Sequence, residues 1–429
     1  MDIHNYERRY KSAIKRVEEA KISARNKELI LSFVNALILE NLSKPRLAKY
    51  LEIMKLVAVA LKKDLDKATE HDLKVFVSKI QQRSDYSPWT KQVYKVMIRR
   101  FYKWQKGVKG KNKYPELVDW INIRISRSEK RLPSEGDLLL EEDIQKLITT
   151  ADHPRDKALI SMLWESGARI GELGNLSLKN VVFDKHGVVI SVRGKTGSRK
   201  IRLVASTPYL STWINNHPFK KDKNSPLWIN VGTTNRNKVM NYGTIRMRLC
   251  RLFAKAEIQK KHNPHLFRHS RATFMANHLT EFQMNQYFGW IQGSDMPATY
   301  VHMSGREVDQ AILAMNGIKE DKEKQESKLQ PQICVRCDTI NSADFQHCSK
   351  CGGILDVKYV GELERKEEVR GKSDSIMDKL FQDEEFQKMF MEKVKELKQI
   401  NAYHQEENTK TNNEQKNNIK QEKKKKKKD

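Results

Sequence analysis

Two cysteine pairs near one end of this 429-residue chain constrain its local fold more than any other feature. Cys334 and Cys337 form one Cys-x-x-Cys pair, Cys348 and Cys351 form the second, and ten residues separate them. Four thiolates at this spacing can surround one ion tetrahedrally, and soft thiolates in a closed site match Zn²⁺. Because four protein ligands leave no open position for catalysis, we expect one structural Zn²⁺ in a ribbon over residues 333–356.

Two other interpretations of these cysteines remain open from the sequence. They could be four unrelated residues, although the regular spacing then has no reason, or a redox pair, although no βαβ pattern surrounds them. The fifth cysteine, Cys250, lies in the helical stretch RMRLCRLFAKA and is expected in the core. This usage does not indicate a disulfide scaffold and favours the reducing cytosol.

The charge of the chain restricts its partners. There are 81 Lys and Arg against 54 Asp and Glu, which gives a formal net charge of +27. Such an excess predicts a polyanionic partner, either nucleic acid or an anionic membrane surface. No apolar run is long enough for a membrane span, and MDIHNYERRY lacks the apolar part of a secretion signal. We therefore expect a cytoplasmic, nucleoid-associated protein without a membrane partner.

Residues 1–130 are predicted to form an all-helical domain. Apolar residues recur at helical spacing in NKELILSFVNALILEN and in SKPRLAKYLEIMKLVAVALKK. Thr69 with Asp72 predicts a capping box, and Ser87 before Pro88 predicts another helix start.

The helix after Ser87 carries an unusual charge pattern. Residues 86–115 contain nine Lys or Arg and no carboxylate, interleaved with aromatic residues. A solvated basic face over an aromatic core is one interpretation, and a helix that faces phosphates is the one we favour. A second basic stretch covers residues 185–202. The candidate DNA contacts from the two stretches are Lys91, Lys95, Arg99, Arg100, Arg199 and Lys200.

The remaining chain divides by composition. RSEKRLPSEGDLLL indicates an interdomain linker, and residues 131–318 mix helices with a hairpin in which GVVISVRG and RKIRLVA flank the turn KTGS. A charged linker (319–332) precedes the cysteine ribbon. An amphipathic helical segment (357–403), most regular over 374–400, and a Lys-rich tail (404–429) expected to be disordered follow. The predicted fold class is mainly α with a small β-sheet, an α+β architecture.

Six residues of the middle segment carry chemistry when they are taken together. Singly, each has an ordinary explanation, such as a surface ion pair, a turn lysine or a packed aromatic ring. In chain order they are Arg169, Lys195, His265, Arg268, Trp290 and Tyr300.

Their order and local motifs resemble the tyrosine recombinase (phage integrase) family. The matching stretches are ARIGEL, HLFRH, the dipeptide GW, and YVH. Most members carry His where Trp290 stands, although some active members carry Trp. The resemblance implies a helical core-binding (SAM-like) domain before a catalytic domain. The added cysteine ribbon, outside the common pattern, favours an archaeal or archaeal-virus integrase or Xer-like recombinase.

The resemblance implies a phosphate-binding role for three of these residues. Two guanidiniums, those of Arg169 and Arg268, can hold the non-bridging oxygens of a phosphodiester bidentately. Trp290 can donate its indole N–H to the same oxygens but cannot act as an acid or base. Such charge stabilisation needs no Mg²⁺, and we expect neither a catalytic metal nor a nucleotide cofactor.

The resemblance also implies roles in proton transfer and bond formation. Tyr300 is the expected nucleophile and forms a 3′-phosphotyrosine, with His265 as the candidate base. Lys195 is expected to protonate the leaving 5′-oxygen, and Glu172 to orient its neighbours. His302 matches the frequent Tyr-x-His of the family, and we assign it no chemistry.

These expectations describe a recombinase that acts on a specific site in double-stranded DNA. Family members act as tetramers on paired sites, whereas the free protein is expected to be a monomer or weak oligomer. They exchange a C-terminal helix, for which residues 304–315 are the candidate. Two alternatives remain: a type IB topoisomerase, which relaxes DNA with the same residues, and a non-catalytic DNA-binding protein that uses the zinc module.

Overall fold

The structure is a computed structural model, and it describes residues 2–126, 129, 135–194, 197–233, 235–303, 312, 315–316, 329–355 and 357–395. The chain divides into two compact units. The first comprises Met1–Cys334 with Asp338–Asp344, and the second comprises Val335–Cys337 with Phe345–Asp429. Among the described helices, none is long and apolar enough to cross a membrane.

The first unit begins with a group of helices, as the sequence predicts. These are α1 (Tyr6–Glu18), α2 (Ala24–Leu39), α3 (Lys44–Leu61), α4 (Glu70–Gln82), α5 (Pro88–Gln105) and the short α6 (Glu116–Asp119). Phe33 of α2 lies at the centre of their core, with its ring edge-on to Tyr50 of α3 and Phe101 of α5 at centroid distances of 5.4 and 5.3 Å. Such edge-to-face contacts add to the free energy that burial of the rings supplies.

The predicted helix starts in this part are confirmed. The Thr69 hydroxyl accepts the Asp72 N–H, and the Asp72 carboxylate accepts the Thr69 N–H in return, so both halves of the capping box form. At the start of α5, the Ser87 hydroxyl accepts the Thr90 N–H at 3.2 Å, and Pro88 occupies the first helical position. Each side chain satisfies an N–H that has no acceptor within its own helix.

Residues from 135 onward build a second group of helices around one nearly completely buried helix. That helix is α8 (Pro154–Ser166), and both α10 and α12 pack against it. The others are α7 (Glu141–Thr150), α9 (Ile170–Gly174), α10 (Thr207–Asn215), α11 (Tyr242–Lys255), α12 (Pro264–Ala276), α13 (Glu281–Phe288) and α14 (Met296–Met303). Tyr300 lies on the last of these helices, which has only eight residues.

One antiparallel sheet with the order β1-β2-β3 accompanies these helices. Its strands are β1 (Val181–Asp184), β2 (Gly187–Gly194) and β3 (Gly197–Leu203). The last two form the predicted hairpin, in which Gly194 stands opposite Gly197. Val188, Ile190 and Val192 alternate toward the buried side of β2, which fixes the register of the hairpin.

The segment around the cysteines contributes two short antiparallel strands, β4 (Gln332–Ile333) and β5 (Ile340–Asn341). In the second unit, α15 (Val357–Leu380) precedes a further helix over residues 384–395. The prediction of one helix over 374–400 is therefore wrong. Asp383 interrupts it, because its carboxylate accepts the N–H groups of Glu385 and Phe386 and starts a new helix.

Three predicted features lie wholly or mostly outside the described residues. They are the exchange helix proposed for residues 304–315, the charged linker over 319–332 and the Lys-rich tail over 404–429. Of the predicted interdomain linker over 127–140, the structure describes residues 129 and 135–140.

Candidate active site

Arg169 owes its position to the way α8 ends. Gly167 closes that helix with φ of 53°, a backbone conformation that glycine adopts without steric cost. A β-carbon at Gly167 would lie 2.5 Å from a ring carbon of Phe288, so the close packing of α13 also requires glycine here. The chain then turns sharply, and Arg169 becomes the residue that caps α9.

Glu172 is the centre of a buried ion-pair network. Its carboxylate accepts one hydrogen bond from the Arg169 side chain and one from the backbone N–H of Arg169, both at 3.0 Å. It also forms a bidentate pair with Arg199 of β3, at 3.1 and 2.8 Å. Burial alone would raise the pKa of Glu172, but the two arginines hold that pKa below its usual value, so the carboxylate stays ionised.

The hairpin is fitted closely against this carboxylate. A β-carbon at Gly194 would lie 2.2 Å from Glu172 Oε1, so only glycine allows the end of β2 to approach so closely. Arg199 also donates to the carbonyl oxygen of Tyr287 on α13 at 2.9 Å. Glu172 therefore orients Arg169 and joins α9 to the hairpin.

Arg268 lies nearby on α12, almost completely buried. Its guanidinium donates to the carbonyl oxygens of Gly167 and Phe288 at 2.9 and 2.8 Å. The same group lies over the rings of Phe288 and Trp290. Burial and the positive charge of Arg169 lower the pKa of Arg268 to about 10, so it is still cationic at neutral pH.

Tyr300 lies in a buried aromatic cluster next to this cation. Its side chain is only 2 % exposed, and its ring stacks on Trp290 at a centroid distance of 5.3 Å and an interplanar angle of 5°. Burial raises the pKa of the Tyr300 phenol, which favours its protonated form, whereas the charge of Arg268 acts in the opposite direction. The fold thus brings together three of the residues that the sequence singled out, Arg268, Trp290 and Tyr300.

The phenol contacts His269, a residue to which the sequence assigned no role. Tyr300 Oη and His269 Nδ1 are 2.7 Å apart. Desolvation and the nearby His265 and Arg268 lower the pKa of His269, so a neutral imidazole that accepts the phenolic proton is favoured.

His265, the candidate base from the sequence, stands one turn earlier on the exposed side of α12. No hydrogen bond joins its side chain to Tyr300 within the part of the chain that is described. Desolvation and the charges of Arg268 and Arg169 lower the pKa of His265 as well. Because positions four apart share a helix face, HLFRH could have indicated either histidine, and only the packing of α14 on α12 distinguishes them.

Two of the sequence candidates cannot be located. Lys195 lies outside the described residues, between Gly194 and Gly197 of the hairpin. The side chain of His302 is also outside what the structure describes.

Comparison with known proteins gives the family. Residues 137–307 match the model of the phage integrase family. This segment of the chain is a phage integrase, or tyrosine recombinase, domain. All of the residues discussed above from Arg169 to Tyr300 fall inside the matched segment.

Curated proteins that are similar to this chain include Xer recombinases. Tyrosine recombinase XerA of Pyrococcus horikoshii is 30 % identical over 157 residues, which are 37 % of this chain and 52 % of that protein. XerA of Pyrococcus furiosus is 27 % identical over 45 % of this chain and 66 % of that protein. The chain thus spans less than two thirds of these archaeal relatives. XerD of Yersinia pestis is 27 % identical, over 66 % of this chain and 95 % of its own length.

Solved structures share the fold. The XerH site-specific recombinase bound to its palindromic difH substrate superimposes with a TM-score of 0.51 at 16 % identity, over 72 % of this chain and 95 % of that chain. A lambda integrase tetramer bound to a Holliday junction gives a TM-score of 0.51 at 13 % identity, over 66 % and 78 %.

The candidate DNA contacts differ in how far their side chains are engaged within the protein. Lys95 is buried, and Lys91 donates to the carbonyl oxygen of Gln81 at 2.7 Å. Arg99 stacks on the Tyr114 ring at 3.7 Å. The charge of the predicted phosphate-facing helix is therefore partly engaged within the protein.

Three arginines among the candidates are ion-paired, and the first of them, Arg99, pairs with Asp119 at 3.7 Å. Arg100 pairs with Glu40, a residue outside the acid-free stretch that the sequence singled out. Arg199 pairs with Glu172 in the buried network and directs its charge inward. Lys200, the next residue on β3, is exposed to solvent.

The four cysteines come together as the spacing predicts. Each offers a sulfur atom, and these atoms all lie within 4.8 Å of one another, with Cys334 and Cys348 buried. Four thiols at mutual distances of this size fit a tetrahedral thiolate site, whose metal–sulfur bonds are about 2.3 Å long for Zn²⁺.

Proposed function

We propose that this chain is a site-specific DNA recombinase in which Tyr300 cleaves and rejoins DNA strands. The observation that carries the proposal is the cluster of Tyr300, His269, Arg268 and Trp290, in which a protonated phenol lies beside both a proton acceptor and a cation. A structural tyrosine needs neither neighbour. A nucleophile that attacks an anionic phosphodiester needs both.

The reaction transfers one phosphoryl group at a time. Tyr300 Oη bonds to the phosphorus, the bond from phosphorus to the 5′-oxygen breaks, and the phenolic proton passes to His269 Nδ1. The 5′-oxygen leaves with a proton, for which Lys195 is the proposed donor. The reverse attack by a 5′-hydroxyl of another strand restores the phosphodiester and the free tyrosine, so no ATP is consumed.

Arg169 and Arg268 supply the positive charge for this step. Both are cationic, and Glu172 fixes the direction of the Arg169 fork. A phosphate that binds between them would meet charge already in place, which is the arrangement that lowers the barrier most. His265, on the exposed side of α12, is proposed to contact the same phosphate.

The buried position of Tyr300 describes a resting state. With 2 % of its side chain exposed, the phenol cannot reach the phosphorus of a duplex until α14 shifts. The hydrogen bond to His269 and the stack on Trp290 hold it until DNA binds.

The DNA partner and the assembly are proposed from the relatives. XerH is bound to a difH substrate, and lambda integrase is a tetramer on a Holliday junction. A net charge of +27 suits a DNA partner, and exposed residues such as Lys200 offer phosphate contacts. We propose a tetramer on paired sites in double-stranded DNA.

The test of the nucleophile uses covalent capture. A pool of nicked suicide duplexes with a randomised centre is incubated with the protein, and covalent complexes are counted after denaturation. Tyr300→Phe should abolish them. Tyr287→Phe is the matched control, because Tyr287 packs on the same cluster but its hydroxyl donates to the carbonyl oxygen of Glu165. Equal capture by parent and Tyr300→Phe would contradict the proposal.

Strand joining separates recombination from relaxation. Captured sequences are placed in pairs on a plasmid. Joined sites support the recombinase, whereas relaxation without joining would support the type IB topoisomerase. Specific binding without any capture would indicate a non-catalytic DNA-binding protein.

We also propose that the cysteine cluster holds one structural Zn²⁺. The metal would supply the cross-link that a short, loop-rich segment needs in order to fold, and no step of the reaction passes through it. Metal analysis of the purified protein should give one zinc per chain, and Cys337→Ser should lose it while Cys250→Ser keeps it. Zinc retained at full stoichiometry in Cys337→Ser would contradict this site.

A further inference from the structure

The first residues of the chain pack against the catalytic helices. Ile3 is only 2 % exposed although it lies at the start of the helical domain. A β-carbon at Gly174, the last residue of α9, would lie 2.4 Å from Ile3 Cδ1, so the isoleucine fills the space that this glycine leaves. The contact joins residues that are 171 positions apart.

Two backbone hydrogen bonds fix the same segment. Ile3 N–H donates to Asn175 Oδ1 at 3.1 Å, and the amide of Asn175 is oriented by its own bond to the Gly171 carbonyl at 2.7 Å. The Ile3 carbonyl accepts the N–H of Tyr242 at 2.9 Å. Tyr242 is the first residue of α11, where an N–H has no acceptor within its helix, so the segment satisfies a group that would otherwise need water.

His4 extends the contact toward the active site. Its ring stacks on Tyr6 at a centroid distance of 5.0 Å and packs against Tyr242 at 4.9 Å, with the two rings tilted by 38°. Its Nε2 lies 3.4 Å from the β-carbon position of Gly171, two residues after Arg169. The segment therefore docks on the helix that presents the phosphate-binding arginine.

The other end of the segment is attached firmly to the helical domain. The Asp2 carboxylate accepts the N–H groups of His4 and Tyr6 at 2.9 and 2.7 Å. Tyr6 begins α1, and α1 packs on α3 through Ala13 and Val17. Within the described residues, the segment 2–4 thus joins the helical domain to the catalytic part non-covalently, in addition to the covalent connection that the chain itself provides.

We propose that DNA binds between the helical domain and the catalytic part, and that residues 2–4 form a strap that closes the DNA-free protein and must release from α9 and α11 before a duplex without ends can enter. The inference rests on the proposed DNA function. Two connections between the halves form a closed loop, and a circular duplex cannot thread into a closed loop. One buried isoleucine and two hydrogen bonds are a contact small enough to open locally without unfolding either half.

Release is tested first with a strap-weakening variant. Ile3→Gln replaces the buried isoleucine with a polar side chain. Ile38→Gln is the matched control, because Ile38 lies on α2 of the same domain and its side chain is exposed. Association with a covalently closed minicircle should be roughly tenfold faster for Ile3→Gln than for the parent, because the opening step no longer limits binding. Ile38→Gln should match the parent.

A disulfide bond that holds the strap on α9 tests the opposite case. The β-carbon position of Gly174 lies 3.2–3.3 Å from both γ-carbons of Ile3, which places the two β-carbons within the span of a disulfide. The pair Ile3→Cys with Gly174→Cys, in a Cys250→Ser background, should cross-link on oxidation. The oxidised protein should lose association with the minicircle, and reduction should restore it. Ile3→Cys alone controls for oxidation of the other cysteines.

The outcomes separate this inference from the proposed function. A parent protein that binds neither the minicircle nor the same DNA linearised would overturn the DNA function. A cross-linked protein that binds the minicircle at the parent rate would overturn the strap alone. Equal association rates for Ile3→Gln and the parent would also overturn the strap.

Discussion

Two arginine clusters meet near α9, and they balance their charge in opposite ways. In the first, Glu172 pairs with Arg169 and Arg199, so one buried carboxylate holds two cations. In the second, Arg268 donates only to carbonyl oxygens, and no carboxylate of the described residues lies within ion-pair distance of it. The first cluster is a scaffold that orients Arg169, whereas the second keeps a cation available for an anion.

The cost of burial supports this distinction. Burial of a cation in protein disfavours its charged form, and the lowered pKa of Arg268 expresses that cost. Burial raises the pKa of its neighbour Tyr300, which therefore cannot supply a compensating negative charge. A phosphate between Arg169 and Arg268 would relieve this cost. The comparison thus predicts that loss of the Glu172 carboxylate chiefly reduces stability, whereas loss of the Arg268 fork chiefly reduces catalysis.

The largest expected effect is on stability, in the first cluster. Glu172→Gln keeps the shape of the side chain but leaves two arginines without their counter-charge, and breaking a buried pair costs roughly 3–5 kcal/mol. Urea unfolding measures this loss. Glu52→Gln is the matched control, because Glu52 pairs with Arg16 at the surface, where an ion pair contributes about 0–1 kcal/mol. Equal losses in the two variants would remove the distinction between buried scaffold and surface pair.

The second cluster should show its effect in the rate of cleavage. Arg268→Lys keeps a positive charge but loses the planar fork, and loss of one preorganised donor lowers the rate about 10²–10³-fold. Single-turnover cleavage of a captured sequence measures it, with DNA affinity expected to change little. Arg271→Lys lies one turn further along α12, donates to the Glu165 carbonyl, and should cleave at close to the parent rate. Equal rate losses would show that the helix as a whole is perturbed.

A smaller effect concerns the proton acceptor. The parent should cleave more slowly only when the pH falls below the ordinary titration range of histidine. Burial lowers the pKa of His269, and a protonated His269 no longer accepts the phenolic proton. His269→Gln should be slower by roughly tenfold or more at neutral pH and should flatten this limb of the pH–rate profile. His278→Gln, on the exposed surface after α12, should retain the profile. If the pH–rate profile of His269→Gln were unchanged, the slower cleavage at low pH would be assigned to His265 instead.

Local features were predictable from the sequence because local rules decide them. Thr69 with Asp72 and Ser87 with Pro88 start helices through contacts within three residues. The hairpin around Gly194 follows from β-rich runs on both sides of a turn. The same capping rule could have predicted the interruption at Asp383. The apolar residues on both sides of it, however, favoured one continuous helix.

Other features depend on packing between distant parts and were not predictable. Arg199 was assigned to DNA by the charge around it, yet it pairs with Glu172, 27 residues away on another element. His269 rather than His265 contacts Tyr300 because of how α14 lies on α12, 31 residues apart. Nothing in the sequence indicated that Ile3 packs on the catalytic part. Its partner is Gly174, and only the three-dimensional structure shows that Ile3 fills the space beside this glycine.

The central claim, that Tyr300 is the group that bonds to DNA, is tested most directly by locating the adduct. Covalent complexes trapped on a suicide duplex are digested with protease and nuclease, and the modified peptide is sequenced by mass spectrometry. The account predicts a single phosphonucleotide adduct, on the Tyr300 phenol. An adduct on another tyrosine, or on a serine or histidine, would contradict it.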